Sequence, residues 1–304
     1  MTRIIVIGAI FFAALVQGLS VSDAAAQEMA IGNINWVEGY VSAIGKGTTN
    51  PTPNRVKDEM RALRVATLMA QRSLLETVKG VKIDSRTRVE NIILQEDVIK
   101  ARVEGTIRGA EIVKQEVRWE GDKPLATVEL RICLSVLGAC KSEKSLFSAL
   151  NLDQQGEQNG APKQRLNDIG SRQRNIAQSV QDVIYDSSRP VTGIILNLQG
   201  LDFERVILPV VITAEDENKP ITVYSVKNVD PQVIRTYGVV RYTDSVEQAR
   251  QIPHLGANPI IVPVSAITKE NMIMIGFDAA RVIRETTLYG NDYLKSAKVI
   301  IATK

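Results

Sequence analysis

The chain has 304 residues, room for about two domains at ~150 residues each. Its 44% hydrophobic and 23% charged residues permit a real core. Its 37 basic and 34 acidic residues leave a net charge of +3, which lacks the concentrated basic excess of a general nucleic-acid binder.

The first 26 residues have the form of a signal peptide. Arg3 supplies a short positive segment, IIVIGAIFFAALV supplies 13 apolar residues, and Ala24, Ala25 and Ala26 form a small-residue cleavage site before Gln27. Thirteen apolar residues are too few to cross a bilayer, which takes ~20. No Cys follows the apolar run, so no lipid anchor is expected. The mature chain is expected to be exported, to the periplasm or the cell surface.

NINWVEGYVSAIGKG has alternating apolar positions and predicts a strand. GTTNPTPN breaks the chain. Asn54 is placed to cap a helix of about seven turns that stops at Gly80. Val56, Leu63, Ala66, Ala70, Leu74 and Val78 recur along one side, with Lys57, Arg61, Arg64, Arg72, Glu76 and Lys79 on the other. Arg72 and Glu76 stand one turn apart and are expected to pair. The basic residues read as the solvated side of this helix. If Arg61, Arg64 and Arg72 face a partner, a protein of the cell envelope is expected.

NIILQEDVIKARVEG predicts a second helical stretch, with a strand reading of its latter half left open. AEIVKQEVRWE and LATVELRICLS follow as two strands around the turn Gly121-Asp122-Lys123-Pro124. Ile112, Val117, Trp119, Val128, Leu130 and Ile132 are their expected inward positions, and Trp36 and Trp119 are expected to pack in the core. A long helix on an antiparallel sheet gives an α+β domain over residues 27–145. In an oxidising compartment Cys133 and Cys140, with six residues between them, are a candidate disulfide; the alternative is two small buried hydrophobes.

Residues 146–187 read as a polar Gln-, Asn- and Gly-rich loop followed by a bridging helix. Residues 188–304 read as a second, mixed α/β domain. Its expected strands are TGIILNLQGLDF, RVILPVVITAED, ITVYSV, IIVPVSAI, NMIMIG and KVIIAT. Its expected helices are DSVEQARQI, with Ser245 and Gln248 in a capping-box arrangement, and FDAARVIRETTLYGNDYLKSA, capped by Asp278.

The single histidine, His254, stands outside any Ser-His-Asp or Cys-His pattern, and one His excludes a His-rich metal site. No Walker A, G-x-S-x-G, H-E-x-x-H or G-x-G-x-x-G run occurs. Glu215, Asp216 and Glu217 read as a solvated turn. The aromatic content of 5% is scattered and builds no base-stacking platform.

ALRVATLMAQRSLLETVKGVKIDSRTRVEN resembles a bacterial envelope family of small outer-membrane lipoproteins and flagellar assembly proteins, including basal-disk and H-ring components. The residues that carry the resemblance are Ala62, Ala66, Ala70, Arg72, Leu75, Glu76, Gly80 and Val81, then Gly105 and Gly109 ahead of the paired strands. TGIILNLQGLDFERVILPVVI, YGVVRYTDSVEQAR, GANPIIV and FDAARVI are similar to a companion module. The chain departs from many relatives in having no lipobox Cys, and NLQGLDF lacks the expected acidic-basic pair.

The resemblance implies a non-enzymatic structural or assembly protein, without catalytic residues, cofactor or metal. Its partners would be envelope or flagellar proteins and copies of itself, with peripheral association at the outer membrane. Gly80 would end the helix, and Gly105 and Gly109 would allow close packing. The competing reading is a periplasmic ligand-binding module for peptidoglycan, glycan or a small solute. Its groove would lie between the domains, with Arg241, Tyr242, His254 and Asn258 as polar groups.

Overall fold

The computed structural model describes residues 32–135, 144–152, 183–214, 220–288 and 292–304. The expected signal peptide, Cys140, most of the polar loop and bridging helix, and Glu215 to Glu217 lie outside these residues.

The first domain is an antiparallel sheet of order β1-β2-β4-β3 with one long helix across it. Strands β1 (Gly32–Asn35) and β2 (Tyr40–Thr48) form a hairpin, so the first predicted strand is two strands. Trp36 lies in the turn between them, which Gly39 closes at φ 75°. Helix α1 (Arg55–Gly80) follows, capped by the Asn54 side chain, which accepts from the Lys57 amide at 3.0 Å. α2 (Val89–Gln95) and α3 (Asp97–Arg108) come next, so the helical reading of this stretch holds. β3 (Glu111–Glu120) and β4 (Lys123–Cys133) then complete the sheet.

α1 buries Asp58, Ala62, Ala66, Ala70, Leu74 and Val78, a ladder with a step of four. It lies chiefly across β2 and β4. β3 is therefore largely uncovered, and Ile112, an expected inward residue, is 53% exposed. Val56 is likewise exposed, being off the four-residue ladder.

The second domain is a seven-stranded mixed sheet of order β7-β6-β10-β9-β5-β11-β8. Its strands are β5 (Gly193–Asn197), β6 (Val211–Ala214), β7 (Pro220–Tyr224), β8 (Arg241–Thr243), β9 (Pro259–Ile267), β10 (Ile273–Ile275) and β11 (Val299–Ala302). β5 lies between β9 and β11 and is parallel to both. These three strands read as unbroken apolar runs because both faces are covered. Ile195, Ile261, Ile300 and Ala302 pack on Ala249 and Leu255 on one side. Ile194, Leu196, Ile260, Val262 and Ile301 join a core on the other that is continuous with the first domain.

Three helical readings change. Helix α7 (Phe277–Leu288) ends nine residues before Ala297, and Asp278 is its second residue, paired with Arg281, rather than its cap. Helix α6 (Val246–Arg250) is capped by Ser245, which accepts from the Gln248 amide, but the Gln248 side chain reaches the Asp244 amide instead of Ser245. Helix α5 (Pro231–Tyr237) was not foreseen, although Asp230 before Pro231 is a start signal.

The two domains share a seam. Only the last part of RVILPVVITAED is strand; the amides of Ile207 and Leu208 donate instead to the carbonyls of Lys82 and Ile83, at 3.0 and 2.7 Å. Lys82 pairs with Glu204 across the same seam. Helix α4 (Leu146–Ala149) follows the first domain, and its Phe147 packs against Gly238 of the second.

Candidate functional site

The expected site residues cluster around α1, and its faces differ in chemistry. The sheet-facing side is built from small residues. A Cβ on Gly45 would lie 2.2 Å from the Ala66 carbonyl oxygen and 2.3 Å from the Ala70 amide nitrogen. A Cβ on Gly47 would lie 2.3 Å from the Ala66 amide and 2.4 Å from the Ala62 oxygen. Ala43, Gly45 and Gly47 alternate along β2 and so share one pleat face, against Ala62, Ala66 and Ala70. The alanines face two glycines, Gly45 and Gly47, whose spacing of two puts both on the helix side of β2.

The glycines expected to allow close packing do not. Nothing lies within 4 Å of a Cβ built on Gly105, and the nearest atom to one on Gly109 is 3.5 Å away. Gly80 is the last residue of α1, yet its φ is not in the left-handed region; Val81 leaves the helix in an extended conformation.

The ladder starts at a charge. Asp58 is fully buried and accepts from the Thr52 amide at 2.6 Å and the Thr52 hydroxyl at 2.8 Å. It ties the Pro-rich loop before α1 to the helix. On the β3 side, Glu59 accepts from the Trp119 indole at 2.8 Å, and the Arg55 guanidinium lies 4.0 Å from the Trp119 ring centre.

The outer face of α1 carries Arg61, Arg64 and Arg72, all exposed. Glu76 pairs with Lys79 at 2.9 Å, not with Arg72. This face is not uniformly polar. Val56, Met60 and Leu68 are 67%, 68% and 57% exposed, and with Arg64 they recur every fourth residue along it. On the flank toward β1, a groove of about 1010 Å³ runs beside Lys46, Gly47 and Thr48 of β2. Val65, Met69, Arg72, Ser73, Lys46 and Gly32 help line it.

Three of the four polar groups proposed for a cleft between the domains, Tyr242, His254 and Asn258, are engaged in structure. Tyr242 is buried and donates to the Val206 carbonyl at 2.7 Å, accepts from the Val206 amide, and meets Trp36 edge-on at 5.5 Å. Burial pushes its phenol well above the ordinary range, so it stays neutral. Burial also lowers the Arg241 pKa.

His254 stacks on Tyr237 with ring centres 3.9 Å apart, and its Nε2 lies 2.9 Å from the Ser296 carbonyl oxygen. Desolvation lowers its pKa below 6.5, and Lys298 and Arg241 lower it further.

Asn258 lies away from this group and is spent on the loop before β5. Its amide donates to the carbonyls of Asp186, Arg189 and Pro190, and its oxygen accepts from the Asp186 amide. The space left at the seam beside Arg241 and Tyr242 is about 40 Å³, which suits a few waters rather than a solute.

Cys133 is buried at the end of β4, and its proposed partner Cys140 lies outside the described residues. Among the described residues no cluster of three metal-ligating side chains occurs.

The architecture is therefore that of a small-residue helix-on-sheet domain joined to a mixed-sheet domain. Residues 32–130 match the family model of the LPP20 lipoprotein, and residues 193–304 match that of the second domain of Treponema pallidum Tp0624. No curated protein matches the chain. The two matches fall on the two domains, one on each. No described helix is long and apolar enough to cross a membrane.

Proposed function

We propose that this is an exported structural or assembly component of the bacterial envelope, of the flagellar basal ring or disc kind. It would act by binding envelope proteins and copies of itself. The observation that carries the reading is the outer face of α1. Met60 and Leu68 stand exposed there, interleaved with Arg61 and Arg64, on a helix whose opposite side is locked to the sheet. Exposed apolar residues grouped with arginines have the composition of a docking surface, because Met and Arg are enriched where proteins meet. The LPP20 match supports an envelope setting, and the helix held against the sheet favours a preorganised face.

The test is a chain carrying Arg61→Ala and Arg64→Ala, with Met60→Ser and Leu68→Ser as a second variant. Exposed substitutions of this kind change stability by roughly 0.5 kcal/mol or less each, so both chains should fold. Light scattering behind size exclusion, electron microscopy and cross-linking in intact envelopes report assembly. Wild type is expected to form multi-copy particles or to cross-link to a defined envelope protein, and both variants are expected to lose this. A strictly monomeric wild type without a cross-linked partner would sink the reading, as would variants that assemble normally.

A further inference from the structure

Two exposed patches of the first domain carry opposite charge. The first is the outer face of α1, where Arg61, Arg64 and Arg72 are exposed with Val56, Met60 and Leu68. The next exposed acid after Arg72 along α1 is Glu76, which pairs with Lys79. The second patch is the knuckle where α2 passes into α3. Glu90, Glu96 and Asp97 are exposed there, and Leu94 and Val98 are 78% and 63% exposed. Leu94 is the most exposed large apolar side chain among the described residues. α2 buries Val89 and Ile93, and α3 buries Ile99 and Val103, so Leu94 and Val98 stand one residue off the inward positions.

We infer that the two patches are the two halves of one interface: the outer face of α1 in one copy docks on the α2–α3 knuckle of the next. The inference rests on the docking role proposed above for α1 and names what docks there. Charge is the first ground. An α1-on-α1 contact would set one cationic face against another, and like charges across an interface are costly. The knuckle offers Glu96 and Asp97 instead, adjacent and exposed at the junction of the two helices.

The second ground is apolar content. Along the chain, Met60 and Leu68 bracket Arg61 and Arg64, and Leu94 and Val98 bracket Glu96 and Asp97. Docking takes both apolar pairs out of water while each set of charges meets its opposite. The third is position. The Val89 amide donates to the Val81 carbonyl, and the Arg88 guanidinium donates to the Gly80 carbonyl, so α2 starts at the C-terminal end of α1. Met60 lies ~30 Å of helix before that end, at ~1.5 Å per residue. The two patches therefore occupy different places on one copy, and a contact between them is heterologous. Such a contact repeats from copy to copy and closes into a ring or runs on as a filament.

Charge reversal tests it, with light scattering behind size exclusion as the readout. Arg61→Glu with Arg64→Glu, and separately Glu96→Arg with Asp97→Arg, should each raise the concentration needed for assembly at least about tenfold, because each sets like charges face to face. A chain carrying all four reversals has opposite signs again and should recover assembly. Added salt should weaken the wild-type contact. No recovery in a four-reversal chain that keeps its melting midpoint would overturn the inference, while α1 would remain a docking face if its own reversal abolished assembly. Normal assembly of both reversed chains, or a strictly monomeric wild type, would overturn the inference and the docking role together. A monomer that instead sediments with phosphatidylglycerol vesicles would also overturn it, since the partner would then be a lipid surface.

A second test keeps every charge and does not depend on the reversed chains folding. Chains carrying Leu68→Cys and chains carrying Leu94→Cys are mixed and treated with a short bismaleimide. A product that joins position 68 of one chain to position 94 of another, mapped by peptide mass, is expected. Products that join only two Leu68→Cys chains would mean α1 on α1 and would overturn the inference.

Discussion

Gly45→Ala is the sharpest perturbation of the helix-on-sheet seam. The added methyl would lie 2.2 Å from the Ala66 carbonyl oxygen, and ordinary contact begins at 3.4 Å, so the shortfall is 3.4 − 2.2 = 1.2 Å. The obstacles are backbone atoms of Ala66 and Ala70, not the flexible end of a side chain. Relief therefore requires α1 to lift from β2 along several turns, loosening the Ala62, Ala66 and Ala70 contacts together. Overpacking ordinarily costs about 1–3 kcal/mol, and a rigid obstacle puts this site at about 3 kcal/mol or above. For a chain of this size that corresponds to a midpoint about 6–12 °C lower. Gly105→Ala is the matched control. It lies within α3 with nothing within 4 Å of a Cβ, so alanine should stabilise the helix by about 1 kcal/mol. Calorimetry and urea unfolding of both variants give the answer. A neutral Gly45→Ala, or shifts of the same sign in both, would refute the idea that contact with β2, rather than glycine as such, governs this domain.

Two further outcomes follow from buried polar groups. Asp58→Ala should cost about 1–3 kcal/mol, because it leaves the Thr52 amide without its acceptor at the start of α1. A double-mutant cycle with Thr52→Val should show clear coupling, and additive losses would mean the two hydrogen bonds matter little. His254 is held below its ordinary pKa, first by desolvation, so the unfolded chain binds its proton more readily than the folded one. Its contribution is therefore present above pH 6.5 and is lost as pH falls through the lowered folded value. The melting midpoint should drop on acidification through that window, and less so in His254→Gln; parallel curves for the two proteins would remove His254 from the account.

Much of the first domain was legible because its signals are local. Asn54 stands where a cap belongs, and the alanines mark the closest face of α1. Gly45 and Gly47 were harder to see. Glycines in a short run suggest a turn, and only their spacing of two, which puts both on one pleat face, identifies a strand pressed against a helix. Asp58 was hidden for the opposite reason: a charge in a helix reads as solvated, and its burial depends on Thr52 folding back six residues away. In the second domain the strands were visible as apolar runs, but their order was not. β11 inserts between β5 and β8, and β10 between β6 and β9, pairings fixed by long-range packing rather than by any neighbouring residue. The polar groups of the proposed cleft failed for a related reason. Position in a loop says that Tyr242 and Asn258 have polar atoms to offer, but not that backbone groups at Val206 and Arg189 already use them.

These observations divide α1 by face, and that division makes its chemistry separable. On the sheet side, tolerance is set by backbone contact at Gly45 and Gly47, so almost any added atom is destabilising. On the outer side, Arg61 and Arg64 touch little within the chain, so replacing them should leave the fold intact. Val56, Met60 and Leu68 stand exposed on that side beside the arginines, and the proposed docking role would use them. A loss of assembly with an unchanged melting midpoint in the outer-face variants would locate the interaction there, while a shifted midpoint would return those residues to the fold.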